Sequence, residues 1–166
     1  MIFDNKTIRF FDIIFSLIGL FFFSIIFLII LCICFFKNDK VFFFQERVGI
    51  DLKPFTLIKF KTMISGTINE ATHLVDASNV TNFGKFLRKS KLDELPQLIN
   101  VLKGEMSIVG PRPCLYNQTD LLKQRLKFEI YKVKPGITGL AQIKKIDMSD
   151  PILLVNTESI MIKNYM

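Results

Sequence analysis

From Ile13 to Phe36 the chain carries no charged residue, and its polar positions are confined to Ser16, Ser24 and the cysteines Cys32 and Cys34. A helix over that stretch is long enough to cross the hydrocarbon core of a bilayer. The pattern then changes period. Val41 to Gln45 and Phe55 to Lys61 read as strands, joined by turn residues between Gly49 and Pro54. Alternation on the second strand puts Phe55, Leu57, Lys59 and Lys61 on one side. A polar stretch from Ile64 to Thr81 follows, and Phe83 to Lys89 predicts a short basic helix. Leu95, Leu98, Ile99 and Leu102 recur at helical spacing and predict one buried face. Pro96 is tolerated only in a first turn, so this helix is expected to begin near Leu92 or Asp93 and to stop at Gly104. Tyr116 to Tyr131 predicts another helix, with Lys123, Arg125 and Lys127 on a solvated or headgroup-facing side. Pro135 to Gly139 predicts a rigid turn rich in free N–H groups.

The fold class is therefore mixed α/β, mainly helical with a small β-hairpin. A membrane-inserted helix over residues 1–36 precedes a compact domain with interfacial amphipathic helices over residues 37–166. Composition agrees with a membrane element, since half of the 166 residues are apolar and 18 are phenylalanine. A net charge of +7 points to an anionic partner. No nucleic-acid motif is present, which leaves acidic lipid or a phosphorylated substrate. Cys32, Cys34 and Cys114 have neither disulfide nor metal spacing, and His73 sits in the polar stretch as a surface residue. Lys6 and Arg9 precede the apolar segment while Lys37 and Lys40 follow it, so the distribution of positive charge sets no orientation. A single span and a re-entrant hairpin both stay open.

Candidate chemistry lies in Leu92–Pro113. Asp93 and Glu94 fall at the predicted helix start, where free N–H groups and the helix dipole favour anions; such a pair ordinarily does no more than cap. Two prolines flank Arg112, which holds its guanidinium fork in a form suited to phosphate. The whole run, LDELPQLINVLKGEMSIVGPRP, resembles the signature of the bacterial sugar transferases, the monotopic phosphoglycosyl transferases. RFFDIIFS, FFFQERVG, FKTM, FGKFLRKSKLDELPQL and VKPGITGLAQI carry the likeness from about Arg9 to Gln142.

The resemblance implies an enzyme that moves a sugar-1-phosphate from a UDP-sugar, expected to be N-acetylated, to undecaprenyl phosphate with release of UMP. It implies Asp93 as nucleophile and Mg2+ ligand, Glu94 as its catalytic neighbour, and Lys59, Arg88, Arg112, Gln142 and Glu158 as phosphate or substrate contacts. It also implies initiation of a surface glycan at the cytoplasmic face of a bacterial inner membrane, contact with membrane lipid, and a chain able to form a homodimer. A re-entrant helix broken at Ser-Pro belongs to the same pattern; here Ser24 is followed by Ile25, and a serine bends a helix by bonding back to an earlier carbonyl. Past Gln142 the likeness frays. Lys144-Lys145-Ile146-Asp147 stands where an Asn-Gly-Arg run is usual, Glu158 replaces an aspartate, and further amphipathic helices are expected beyond Met166. Those departures keep open a catalytically impaired, membrane-anchored sugar-nucleotide-binding protein. A single-span anchor with a lipid-binding basic domain is the third possibility.

Overall fold

The computed structural model describes residues 5–36, 40–64, 79–146 and 150–163. Lys37, His73, Asp147 and most of the polar stretch lie outside them. Helices α1 (Asn5–Phe22) and α2 (Ser24–Phe36) meet at Phe23 with a bend of 59°. Ser24 Oγ donates to the carbonyl of Phe21 at 2.7 Å, the back-bond expected of a serine at a kink. Among the described residues no single helix is long and apolar enough to cross a membrane, while the bent pair together passes by length and composition.

α1 is polar on its inner side and apolar on its outer side. Arg9, Asp12, Ser16 and Gly19 share one face by helical spacing, and Asp12 and Ser16 are buried, whereas Phe10, Phe11, Phe15 and Leu17 are exposed. The inner face lies on α4 (Gln97–Lys103), where a Cβ on Gly19 would stand 3.0 Å from Leu98 Cδ1. Arg9 donates from both terminal nitrogens to the carbonyls of Val101 and Leu102 in the last turn of α4. The Leu102 carbonyl is one that a helix end leaves without a backbone donor, while the Val101 carbonyl also accepts from Gly104 N. Arg9 thus caps a helix, where the charge pattern made it a flanking charge at the membrane. Asp12 Oδ1 accepts from Ser107 Oγ and from Ile108 N, both at 2.9 Å, fixing α1 to strand β3 (Ser107–Val109).

Strands β1 (Phe42–Val48) and β2 (Pro54–Phe60) form the expected antiparallel hairpin, with Arg47 opposite Phe55, Gln45 opposite Leu57 and Phe43 opposite Lys59. Opposed residues share a face. On the other face Phe60 joins Ile30 and Cys34 of α2 and Leu87 of α3 (Asn82–Ser90) in one apolar cluster. α2 is therefore packed on the hairpin. α3 starts on Thr81, whose hydroxyl accepts from Gly84 N, and it approaches Thr62 so closely that any Cβ on Gly84 would overlap the Thr62 carbonyl at 2.1 Å.

α4 departs from the expected helix in two ways. Leu92–Glu94 is a 3-10 turn and the α-helix begins at Gln97. Pro96 has no N–H to donate four residues back, so the ladder cannot run through it and the preceding turn tightens. The residues of α4 that are fully buried are Gln97, Asn100 and Val101, while Leu98, Ile99 and Leu102 are half-buried against their neighbours. The physical reason is the hairpin edge. Asn100 Oδ1 accepts from Ile58 N at 3.1 Å and its Nδ2 donates to the Thr56 carbonyl at 2.7 Å, so an amide side chain completes backbone groups that a leucine would strand.

β3 pairs in parallel with β4 (Gly136–Thr138). The predicted N–H-rich turn at Pro135–Gly139 is thus a strand, and Gly136 N donates to the Pro111 carbonyl instead of standing free. α5 (Thr119–Lys127), the short α6 (Leu140–Ile143) and α7 (Pro151–Lys163) close another apolar cluster around Val48, Cys114, Leu121, Ile130, Leu154 and Val155. Arg125 is not on a solvated face. It is 1% exposed and meets Glu158, also 1% exposed, with Nε at 2.9 Å from one carboxylate oxygen and Nη2 bonded to the other. Removing one partner strands a buried charge, so Glu158→Ala is expected to cost about 3–5 kcal/mol. The paired change Arg125→Met with Glu158→Leu should regain most of it, as read by thermal unfolding in detergent.

Candidate active site

Five of the sequence-predicted residues converge below the hairpin. The left-handed backbone of Lys91 ends α3 and throws the chain into the Leu92–Glu94 turn. That turn aims Glu94 at β2, where Lys59 occupies the inward row that alternation assigns it. Lys59 Nζ lies 3.0 Å from Glu94 Oε1. Arg112, on the loop between buried Pro111 and Pro113, puts Nη2 on the same oxygen, also at 3.0 Å. The remaining N–H groups of Arg112 make no hydrogen bond among the described residues, and its side chain keeps 30% exposure. Arg88 Nε donates to Thr62 Oγ1 at 2.9 Å, and its charge is near enough to act on Asp93.

Asp93 differs from its neighbour. It is 7% exposed, and its Oδ1 is buried without a hydrogen-bond partner. Burial raises the Asp93 pKa above the ordinary carboxylate value, against the pull of Lys59. For Glu94 burial acts in the same upward direction, but Lys59 and Arg112 outweigh it and hold the group below the usual value. Lys59 is itself pushed down by burial, which Glu94 offsets only in part. One carboxylate is clamped and anionic, the other unpartnered and more basic. Cationic partners hold Glu94, since neither carboxylate lies in the first turn of an α-helix.

Gln142 and Glu158 make no bond to these five residues. Gln142 follows β4 on α6, with Nε2 3.5 Å from the Ile137 carbonyl and a buried, unpartnered Oε1. Both oxygens of Glu158 face Arg125. Among the described residues no three His, Cys, Asp or Glu side chains could hold an ion between them. Mg2+ is nevertheless commonly held by one or two carboxylates completed by substrate phosphates and water, and the unpartnered hard oxygen of Asp93 fits that role.

The sequence reading missed Arg47. It lies on the same hairpin face as Lys59, donates to the Pro113 carbonyl at 3.2 Å and to Gln45 Oε1, and leaves a buried Nε without a partner. Burial first, and the charge of Arg112 second, lower its pKa to about 10. The signal available in the sequence was its phase, two residues from Gln45 and in register with the Lys59 row.

A family model described as bacterial sugar transferase matches residues 3–164. The chain belongs to the bacterial sugar transferase family. Among relatives of this family member, a Bacillus subtilis protein named "Uncharacterized sugar transferase EpsL" is 47% identical over 106 residues, covering 64% of this chain and 52% of that protein. The UDP-glucose:undecaprenyl-phosphate glucose-1-phosphate transferase of Klebsiella pneumoniae is 42% identical over 113 residues, 64% of this chain and 24% of its own length. The UDP-N-acetylgalactosamine-undecaprenyl-phosphate N-acetylgalactosaminephosphotransferase of Aeromonas hydrophila is 36% identical over 132 residues, 75% of this chain and 31% of that relative. The chain thus spans about half of the first relative and a third or less of the other two.

Lys59 lowers the pKa of both carboxylates, so its removal should move both in one direction. In Lys59→Met the Asp93 and Glu94 titrations are expected to shift upward together, measured by carboxyl carbon-13 resonances. An unmoved Asp93 would mean that Lys59 does not act on it.

Proposed function

We propose that this sugar transferase moves a sugar-1-phosphate from a UDP-sugar to undecaprenyl phosphate and releases UMP, through a covalent intermediate on Asp93. The observation that carries the proposal is the unequal pair: Asp93 has a free, more basic carboxylate oxygen beside a Glu94 whose oxygen is held by two cations. An attacking carboxylate must keep an unencumbered oxygen, which Asp93 has and Glu94 lacks.

In the first step an Asp93 oxygen forms a bond to the sugar-linked phosphorus. The bond from that phosphorus to the bridging oxygen breaks, and its electron pair leaves on the phosphate of UMP. In the second step an oxygen of undecaprenyl phosphate forms a bond to the same phosphorus, and the Asp93 carboxylate departs. Glu94 fixes Lys59 and Arg112 at a set spacing. Their residual positive potential, with that of Arg88, draws the diphosphate against Asp93 and offsets its charge. Mg2+, held by Asp93 together with diphosphate oxygens, would supply further charge neutralisation.

Location follows the same logic. The acceptor is apolar and the donor water-soluble, so the site belongs at a membrane boundary. The bent helix pair supports that place, with its outward Phe10, Phe15, Phe21, Ile25 and Leu28. We assign it to the cytoplasmic face of a bacterial inner membrane, re-entrant, initiating a surface glycan. An N-acetylated donor is proposed first, although the relatives' names include both glucose and N-acetylgalactosamine.

With a UDP-sugar panel and Mg2+ but no acceptor, wild type should release about one UMP per active site and stop. Intact-protein mass spectrometry should then show a gain of one phosphosugar. Asp93→Asn should lose turnover and adduct while remaining folded. An active enzyme with no burst would instead indicate direct displacement, and an adduct on Glu94 would reverse the two roles.

Arg112→Lys keeps the charge but loses the planar fork, and should lower kcat/KM by about 10- to 100-fold at unchanged thermal stability. Near-normal turnover would make Arg112 a support for Glu94 only.

A further inference from the structure

Arg47 is a guanidinium near enough to Arg112 to feel its charge, without a carboxylate of its own. No ion pair joins it to any described residue; its two terminal nitrogens rest on a carbonyl and an amide oxygen, both neutral, and its Nε has no partner. A half-buried cation beside Arg112 is costly unless an anion joins them. Glu94, the nearest carboxylate in the site, is already held by Lys59 and Arg112.

The cations lie in order along the hairpin. Arg88 bonds to Thr62, just past the end of β2. Lys59 comes next, on Glu94 beside Asp93. Arg112 reaches the same Glu94 oxygen from the other side, and the Pro113 that follows it takes the bond from Arg47. Arg47 stands opposite Phe55, four residues back along β2 from Lys59, or about 13 Å of strand. Asp93 is therefore beside Lys59, toward the Arg88 end of the row, and Arg47 is at the other end.

We propose that Arg47, with Arg112, binds the phosphate that leaves with the nucleotide. The inference rests on the transfer reaction proposed above. A diphosphate whose sugar-linked phosphorus is at Asp93 extends its second phosphate along the row, toward Arg112 and Arg47. When the bridging bond breaks, that phosphate gains the electron pair and one more negative charge. A second guanidinium there binds the product state and the transition state more strongly than the ground state, which is where binding accelerates a reaction. Arg47 is then a binding residue for the nucleotide phosphate and not for the sugar.

The test is equilibrium binding of UMP and of uridine to the purified full chain in detergent, by titration calorimetry. Arg47→Gln keeps a donor for the Pro113 carbonyl but removes the charge. It is expected to weaken UMP about 10- to 100-fold and to leave uridine unchanged. A parallel loss for both ligands would make Arg47 a structural support of the loop and overturn the proposal, as would no loss for either. Should Arg47→Gln fail to fold, Arg47→Lys decides. It retains a cation without the fork, and its UMP affinity should fall several-fold with uridine unaffected; equal UMP affinity in Arg47→Lys and wild type would overturn the proposal. A wild type that binds neither UMP nor a UDP-sugar would overturn the transferase proposal itself, and this one with it.

Discussion

One carboxylate oxygen holds the site together. Glu94 Oε1 receives Lys59 from the hairpin and Arg112 from the loop before α5, and the three residues belong to segments that share no sheet. Without that oxygen two cations, with Arg47 behind them, would face one another in a poorly hydrated space. The cost of burying each group is met only because all are present at once. The clamp also separates two neighbours of nearly the same chemistry. Glu94 is tied down, and the adjacent carboxylate is left with an oxygen that nothing occupies. Chemical difference between Asp93 and Glu94 comes from position in a tight turn, not from side-chain type.

What the sequence revealed and what it hid divide along physical lines. Strand alternation grouped Lys59 with Phe55 and Leu57 because the hairpin is regular and local, while its place in the site came from the family resemblance. Pro111 and Pro113 framed Arg112 as expected, since proline acts on its own backbone. The leucine stripe of the next helix was misleading, because periodicity reports which side is apolar and not which neighbour covers it. There α1 lies on part of the leucine face, while the hairpin edge calls for the polar Asn100. Asp93 and Glu94 were located at a helix start that Pro96 displaces by a turn, so the local pattern found the residues and misjudged what stabilises them.

The buried pair Arg125–Glu158 shows a signal that could have been used. Arg125 follows Leu121 by four residues, and Glu158 lies on one stripe with Leu154, Val155, Met161 and Ile162. A lone cation in one apolar stripe and a lone anion in another are each anomalous, and together they suggest partners. Glu158 was instead given a substrate role through its alignment with a family aspartate; its two oxygens are engaged by Arg125 far along the chain. Arg9 and Asp12 carry the same lesson, since a helix whose hydrophobic side faces outward must send its polar side chains into the protein.

That inverted helix acts as a bracket. Arg9 grips the end of α4 and Asp12 grips β3, and these two elements lie immediately after Asp93-Glu94 and immediately before Pro111-Arg112. The domain is bolted to α1 at both sides of its reactive groups, with no slack tether between them. The height of Asp93 above whatever apolar layer receives Phe10, Phe11 and Phe15 is consequently a built-in dimension of the molecule. Under the transfer reaction proposed above, a long-chain acceptor dissolved in that layer would have to present its headgroup at one elevation, so that selection among acceptors would be by measurement rather than by recognition.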